Sequence, residues 1–266
     1  MTALFDALGL DAARVVKATF EPNLLLLFAL CMGHSLKTHG WRRTAREFSA
    51  GFALTALAES AGVLSGAYVY PGFQLYVLAT PVGNPASWVA LVYIVMTLSD
   101  RLVFGRAALD PPGPLLVRGS LLGTLALLAL CDACLALAID LVLDPLATIY
   151  NWWIWVPCVE GATTIGPGVV DAYNFDHQVW LTTPDNPVAV WFADFFPKGL
   201  RYPTRVLGIP LINFVAWLVF VFVFAFQFRW VESRRDWSEW RKFIVLWTVV
   251  LVDVPVLAVL LIAPNL

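Results

Sequence analysis

Long apolar runs almost free of charge, separated by short basic or proline-rich stretches, dominate the pattern along this chain. A helix needs about 20 mostly apolar residues to cross a bilayer. The runs and their flanks predict six such helices, at about Val15–Leu36, Phe48–Leu64, Pro85–Phe104, Leu115–Leu143, Leu207–Phe228 and Phe243–Ala263. Lys17 and Glu21 stand at helical spacing near the start of the first, and the fourth is long enough to tilt or to extend past the bilayer. Residues 2–14 read as a short surface helix, and no internal repeat or low-complexity tract is expected. The N-terminus lacks the basic-then-apolar pattern of a cleaved signal, so the first helices read as mature protein. The predicted fold class is all-α. It is one polytopic transmembrane helix bundle over residues 1–266, with the surface helix in 1–14 and a long outward loop insertion at 144–206.

Composition and charge agree with a lipid bilayer as the surrounding medium. Hydrophobic residues make up 60% of the 266 and charged residues only 14%, where a soluble domain carries about 25% charged. A net charge of −2 and the lack of a basic stripe with interleaved aromatics exclude nucleic acid as a partner. Basic residues gather in three alternate loops: Lys37, Arg42, Arg43 and Arg46 in 37–46; Arg101, Arg106 and Arg118 in 101–118; Arg229, Arg234, Arg235, Arg241 and Lys242 in 229–242. The opposite loops, 65–84 and 144–206, hold only Lys198, Arg201 and Arg205. By the positive-inside rule the first set is cytoplasmic and both termini face outward, in a bacterial or archaeal cytoplasmic membrane. The run Cys131–Asp132–Ala133–Cys134 lies within an apolar helix and reads as packing, not as a metal or redox motif.

The outward loop 144–206 is rich in tryptophan (Trp152, Trp153, Trp155, Trp180, Trp191) and proline, which fits an interfacial belt. Its stretch 187–196 reads as a short helix lying on the membrane. A loop of this length is a lid or a docking surface.

Between Glu47 and Asp100 the only charged residue is Glu59, inside an apolar run. Carboxyls are costly in hydrocarbon, and an intramembrane one is a functional candidate by default. Glu59 falls near the outer end of the second helix, Asp140 and Asp144 at the outer end of the fourth. Four residues apart, the two aspartates share a face, offset by about 40°, and Pro145 is expected to end the helix just after them. The three acids are thus expected at one depth beneath a lid of tryptophans. The alternative is that Glu59 and Asp140 serve as structural glue. Asp132 is deeper, about 80° around the helix from Asp140, and is expected to bond across helices to a serine, threonine or histidine. Asp253, just before Pro255, is expected to cap a break in the sixth helix, and His34 to be an interfacial hydrogen-bonder ending the first. His39 and His177 carry no motif, and no GxSxG, HExxH, P-loop or Rossmann fingerprint is present.

A series of short segments, in order, carries a resemblance: GHSLKTHGWRR (33–43), ESAGVLSGAYVYP (59–71), PVGNPASWVALVY (81–93), DLVLDP (140–145), WIW (153–155) and GIPLINFVAW (208–217). Together they resemble the membrane carotenoid biosynthesis family that includes the carotenoid 1,2-hydratases and the bisanhydrobacterioruberin hydratases. The chain departs from that pattern at 156–207, where an insertion separates Trp155 from Gly208 at the mouth of the expected site.

The resemblance implies a cofactor-independent hydro-lyase that acts on an acyclic carotenoid. An acid protonates C2 of the terminal double bond, a tertiary cation forms at C1, and water captures it. Carboxyls in apolar surroundings, or beside a second carboxylate, keep the proton such a step needs, and Glu59, Asp140 and Asp144 are the catalytic candidates. Glu59 or Asp140 is the expected donor, with Asp144 orienting water. Aromatic faces stabilise a cation by about 0.5–2 kcal/mol, which nominates Tyr68, Tyr70, Trp153, Trp155 and Trp217 as substrate-binding residues, with Asn213 positioning the water. The competing reading is a non-catalytic carotenoid-binding or structural subunit of a larger membrane complex, docked to partner proteins through the insertion. A transporter fits less well, for want of inverted repeats or paired broken helices.

Overall fold

The computed structural model describes residues 12–64, 67–70, 73, 75–104, 120–149, 152–155 and 204–262. Six long helices fill most of them: α1 (Ala12–His39), α2 (Trp41–Leu64), α3 (Gly83–Phe104), α4 (Leu121–Ile149), α5 (Leu211–Ser233) and α6 (Glu239–Ile262). The fold is all-α. α3, α4 and α5 are each long and apolar enough to cross a membrane. Large apolar side chains on the outer faces stay uncovered, among them Leu30, Leu102, Val142 and Val256, each more than 60% exposed. An exposed apolar band of this kind belongs against lipid. The surface helix expected in 2–14 lies largely outside the described residues, and 12–14 are the first turn of α1. The insertion from 156 to 203, with Cys158 and His177, also lies outside them.

α4 packs along α5, α1 along α3, and α6 across both α2 and α5. Their shared core runs from Phe48 and Leu54 through Trp88 and Val92 to Phe224, Phe228 and Leu246. Gly51 lets α2 approach its neighbours closely, since a Cβ there would meet Val89 Cγ2 at 3.0 Å and Phe224 Cζ at 3.2 Å.

Among the described residues, three two-residue antiparallel ladders join the helices at one end of the bundle. β1 (Tyr68–Val69) pairs with β4 (Ile154–Trp155), β2 (Tyr76–Val77) with β3 (Thr80–Pro81), and β5 (Arg205–Val206) with β6 (Ile209–Pro210). The two hairpins share a construction. Each turns on a leucine with left-handed backbone, Leu78 at φ 53° and Leu207 at φ 52°, and each ends in a proline that leads into a helix. Their sequences share the pattern Val-Leu-x-x-Pro-x-x-Asn-x-x-x-Trp, at 77–88 and 206–217. The chain therefore carries an internal repeat, contrary to expectation. It escapes notice because only five of the twelve positions are kept, and the rest of each helix differs.

Four further expectations are corrected. Pro145 does not end α4, which continues to Ile149. A proline removes one backbone donor, a loss that neighbouring packing in a membrane bundle can absorb, and here Ala147 and Thr148 of the following turn are buried. α6 likewise runs unbroken through Pro255, so Asp253 caps no break. α5 starts at Leu211, because 207–210 form a hairpin. Finally, the basic loops at 37–46 and 229–242 are largely helix. Only Gly40, at φ 79°, separates α1 from α2. Arg46 is buried in α2 and bridges Glu232 and Glu239 at 2.6 Å each, and Arg229 is buried in α5, paired with Asp100 at 2.5 Å and Asp132 at 2.9 Å. Arginines near helix ends resemble loop residues by hydropathy, but a carboxylate within reach draws them into the bundle.

Candidate active site

The end of the bundle that carries the ladders also gathers the acids. Glu59 sits in the last two turns of α2. The chain then turns back through β1, which lays two phenols on its carboxyl: Tyr68 Oη donates to Glu59 Oε2 at 2.7 Å and Tyr70 Oη to the same oxygen at 2.6 Å. Gly62 makes this return possible, since a Cβ at that position would overlap the Tyr68 phenol. Behind Tyr70, Asn84 Nδ2 donates to the Tyr70 hydroxyl at 2.5 Å. Burial first, then the Glu59 carboxyl, raises the Tyr70 phenol well above its ordinary range, so Tyr70 stays a donor.

Asp140 and Asp144 lie near the end of α4, both almost fully buried. The Asn213 side-chain amide, from the first turn of α5, donates to both, to Asp140 Oδ2 at 3.1 Å and to Asp144 Oδ2 at short range. Trp153 Nε1 donates to the second Asp144 oxygen at 2.5 Å. Among the described residues, Asp140 Oδ1 is buried without a hydrogen-bond partner. A buried carboxyl oxygen costs free energy unless a water, an ion or a ligand reaches it.

The two groups meet at a cavity of about 50 Å³ lined by Thr55, Glu59, Tyr68, Trp88, Trp155, Asn213 and Trp217, among others. A cavity of about 10–15 Å³ already admits a water, so this space holds at least one. Glu59 and Asn213 face the cavity directly, and Asn213 joins it to Asp140 and Asp144. Tyr70 and Trp153 stand behind the lining, their rings 6.1 Å apart, while Tyr68 and Trp155 pack at 4.7 Å. The three carboxyls do not form a metal-binding group. All nine candidate residues thus lie in one region. Asn84, Trp88 and Thr55 were missed. For the first two the signal was present, because they stand after Pro81 as Asn213 and Trp217 stand after Pro210.

Asp132 belongs elsewhere. It accepts from Ser99 Oγ, as a cross-helix partner of the expected kind, and from Arg229 Nε at 2.9 Å. His34 Nδ1 shares a hydrogen bond of 2.6 Å with Tyr93 Oη, one turn before α1 ends at His39.

The model of one protein family, described as carotenoid biosynthesis protein, matches residues 20–164, more than half of the chain. The match takes in Glu59, Tyr68, Tyr70, Asp140, Asp144, Trp153 and Trp155 and stops before Asn213 and Trp217. No curated protein and no solved structure matches the chain.

Proposed function

Because the chain belongs to the carotenoid biosynthesis protein family, we propose that it is a carotenoid hydratase that adds water across the terminal double bond of an acyclic carotenoid. The reading is carried by one observation: a cavity bordered on one side by Glu59 and on the other by an amide shared between two buried aspartates, with three indole rings around it. A carboxyl proton passes to C2 of the terminal C1=C2 bond, leaving a tertiary cation at C1. Trp88, Trp155 and Trp217 offer faces to that cation, each worth about 0.5–2 kcal/mol. Water held from the Asn213 side adds to C1 and gives up a proton to a carboxylate, so the acid is restored and the sum is carotenoid plus water to tertiary alcohol. Glu59, on the cavity wall, and Asp140, with its unpartnered oxygen, are the candidate donors. Asp144, clamped by Asn213 and Trp153, orients the water. By the asymmetry of basic residues the site lies in the extracytoplasmic half of the bundle.

The test is to express Glu59→Gln and Asp140→Asn in a host that makes the acyclic precursor. General acid catalysis contributes roughly 10²–10⁴-fold, so loss of the donor's proton abolishes detectable hydroxylated carotenoid. Undiminished yields from both variants would remove these roles.

A further inference from the structure

The repeat found in the hairpins extends through the site. Tyr68 donates to Glu59 nine residues before it, and Trp153 donates to Asp144 nine residues before it. By that spacing Glu59 corresponds to Asp144, Tyr68 to Trp153, and Val69 to Ile154. After the hairpins the correspondence continues at a spacing of 129 residues, which separates Asp100 from Arg229 and also Asn84 from Asn213 and Trp88 from Trp217. Each copy is a helix, a short strand, a hairpin and a helix: α2, β1, β2–β3, α3, then α4, β4, β5–β6, α5. The insertion lies between β4 and β5 of the second copy.

Two copies related by a two-fold axis bring a residue next to its own counterpart only where it lies on that axis. Three such pairs occur. Val69 is the ladder partner of Ile154. The rings of Trp88 and Trp217 are 6.1 Å apart. Asp100 and Arg229 form an ion pair at 2.5 Å. They mark an axis from the ladder end, past the cavity, to the buried ion cluster. The site sits where the two copies meet.

The copies differ where it matters. Asp140, four residues before Asp144, corresponds to Thr55, whose hydroxyl donates to Gly51 O at 2.9 Å and lines the cavity. α3 packs along α4, whereas their counterparts α5 and α2 face each other across the cavity. One half of the site therefore holds one carboxyl under two phenols, and the other holds two carboxyls under an amide and an indole.

We infer that the site is a composite of two related halves and that Asn84 is a positioning residue in it, holding the Glu59 carboxyl through Tyr70 as Asn213 holds Asp144 directly. The chain of contacts is short: Asn84 Nδ2 to Tyr70 Oη at 2.5 Å, Tyr70 Oη to Glu59 Oε2 at 2.6 Å. The inference rests on the reading of this cavity as the place where a polyene end reacts.

The experiment is a double-mutant cycle on the full chain in detergent micelles, with Asn84→Ala, Tyr70→Phe and the pair. Initial hydration rates are measured over a range of an acyclic ψ-ended carotene, together with the melting temperature with and without it. Misplacing a group by about 1 Å can cost about a hundredfold, so Asn84→Ala lowers the rate at saturating carotene about ten- to a hundredfold. In the Tyr70→Phe background it lowers it no further, because the link is already cut. Equal losses in both backgrounds, or no loss in either, overturn the inference. If the parent chain does not hydrate the carotene, the hydratase reading fails separately, and the melting arm decides. A carotene-induced rise in melting temperature that Asn84→Ala, Tyr70→Phe and the pair all reduce alike supports the composite site. A rise untouched by Asn84→Ala, or no rise in the parent chain, overturns it. Asn84→Ser, which keeps a donor in place, replaces Asn84→Ala if that variant does not accumulate, with a smaller loss and the same non-additivity expected.

Discussion

Trp153 gives its indole N–H to one Asp144 oxygen while Asn213 gives an amide N–H to the other. Asp144 is thus held at both oxygens, whereas Asp140 in the preceding turn receives Asn213 at one oxygen and has no partner for the other among the described residues. The difference separates the roles of two acids that are equivalent by sequence spacing. A carboxyl bonded at both oxygens is fixed in orientation, and one with a bare oxygen retains a place for a proton.

Trp153→Phe keeps the ring and removes the donor. Asp144 then loses one of its two fixed contacts, and the rate of carotenoid hydration should fall by about tenfold to a hundredfold. The melting temperature should fall as well, since the change leaves a buried Asp144 oxygen without its donor, a loss of about 1–3 kcal/mol. Chromatography of pigments from cells expressing the variant checks the rate, and a thermal melt of the purified protein checks the fold. A full yield would show that the indole contact does not position Asp144.

Gly62→Ala should displace the Tyr68 phenol from Glu59, because the new methyl would occupy its place. Overpacking of this kind costs about 1–3 kcal/mol. Tyr68→Phe in the same chain leaves the ring in place, so it should not relieve the loss of stability. In a Tyr68→Ala background, by contrast, Gly62→Ala should cost little further, because the ring it would strike is gone. Melting temperatures with and without Gly62→Ala in the parent, Tyr68→Phe and Tyr68→Ala backgrounds distinguish a steric cause from the loss of the hydroxyl.

Arg229→Met should be the most damaging single change at the opposite end. It leaves the buried Asp100 and Asp132 carboxyls without their cation. Breaking a buried pair by removing one partner costs about 3–5 kcal/mol. The expected outcome is poor accumulation in membranes and aggregation on size-exclusion chromatography. Neutralising the partners as well, with Asp100→Asn and Asp132→Asn, should recover part of the loss. Normal behaviour of Arg229→Met alone would show that the cluster is dispensable.

His39, at the end of α1, is pushed down from its ordinary value to about 4 by burial, with Arg43 and His34 adding to the effect. It is therefore neutral when folded and more basic when unfolded. The unfolded chain binds the extra proton first as the medium is acidified, so this stability is complete above about pH 6.5, the unfolded value. It is lost as pH falls through the folded value of about 4. His39→Gln should flatten the slope of melting temperature against pH in that window. Identical slopes for the two proteins would refute the assignment.

Apolar run length was enough to reveal the six helices, because an element that crosses a bilayer must satisfy its own backbone and present hydrocarbon to lipid for a set length. The rarity of intramembrane charge singled out Glu59, Asp140 and Asp144 for the same reason, whereas Asn213 and Trp217 were nominated through the family resemblance that 208–217 helps to carry. Helix ends were less visible. Proline at 145 looked like a stop, and the arginines at 46 and 229 looked like loop residues. Their outcome depends on what packs beside them: a buried turn after Pro145, and carboxylates from other helices around Arg46 and Arg229.

What the chain alone determined, then, was which residues must be buried in pairs or not at all. The tertiary structure decided who pairs with whom. Asn213 reaches Asp140 and Asp144 only because α5 lies along α4, and Asn84 reaches Tyr70 only because β1 folds back over Glu59. The division of the site into two related halves was likewise hidden. A two-fold axis is a relation between positions in space, and a pattern of five kept residues in each of two hairpins and the helix after it acquires meaning only when Val69 meets Ile154, Trp88 meets Trp217 and Asp100 meets Arg229.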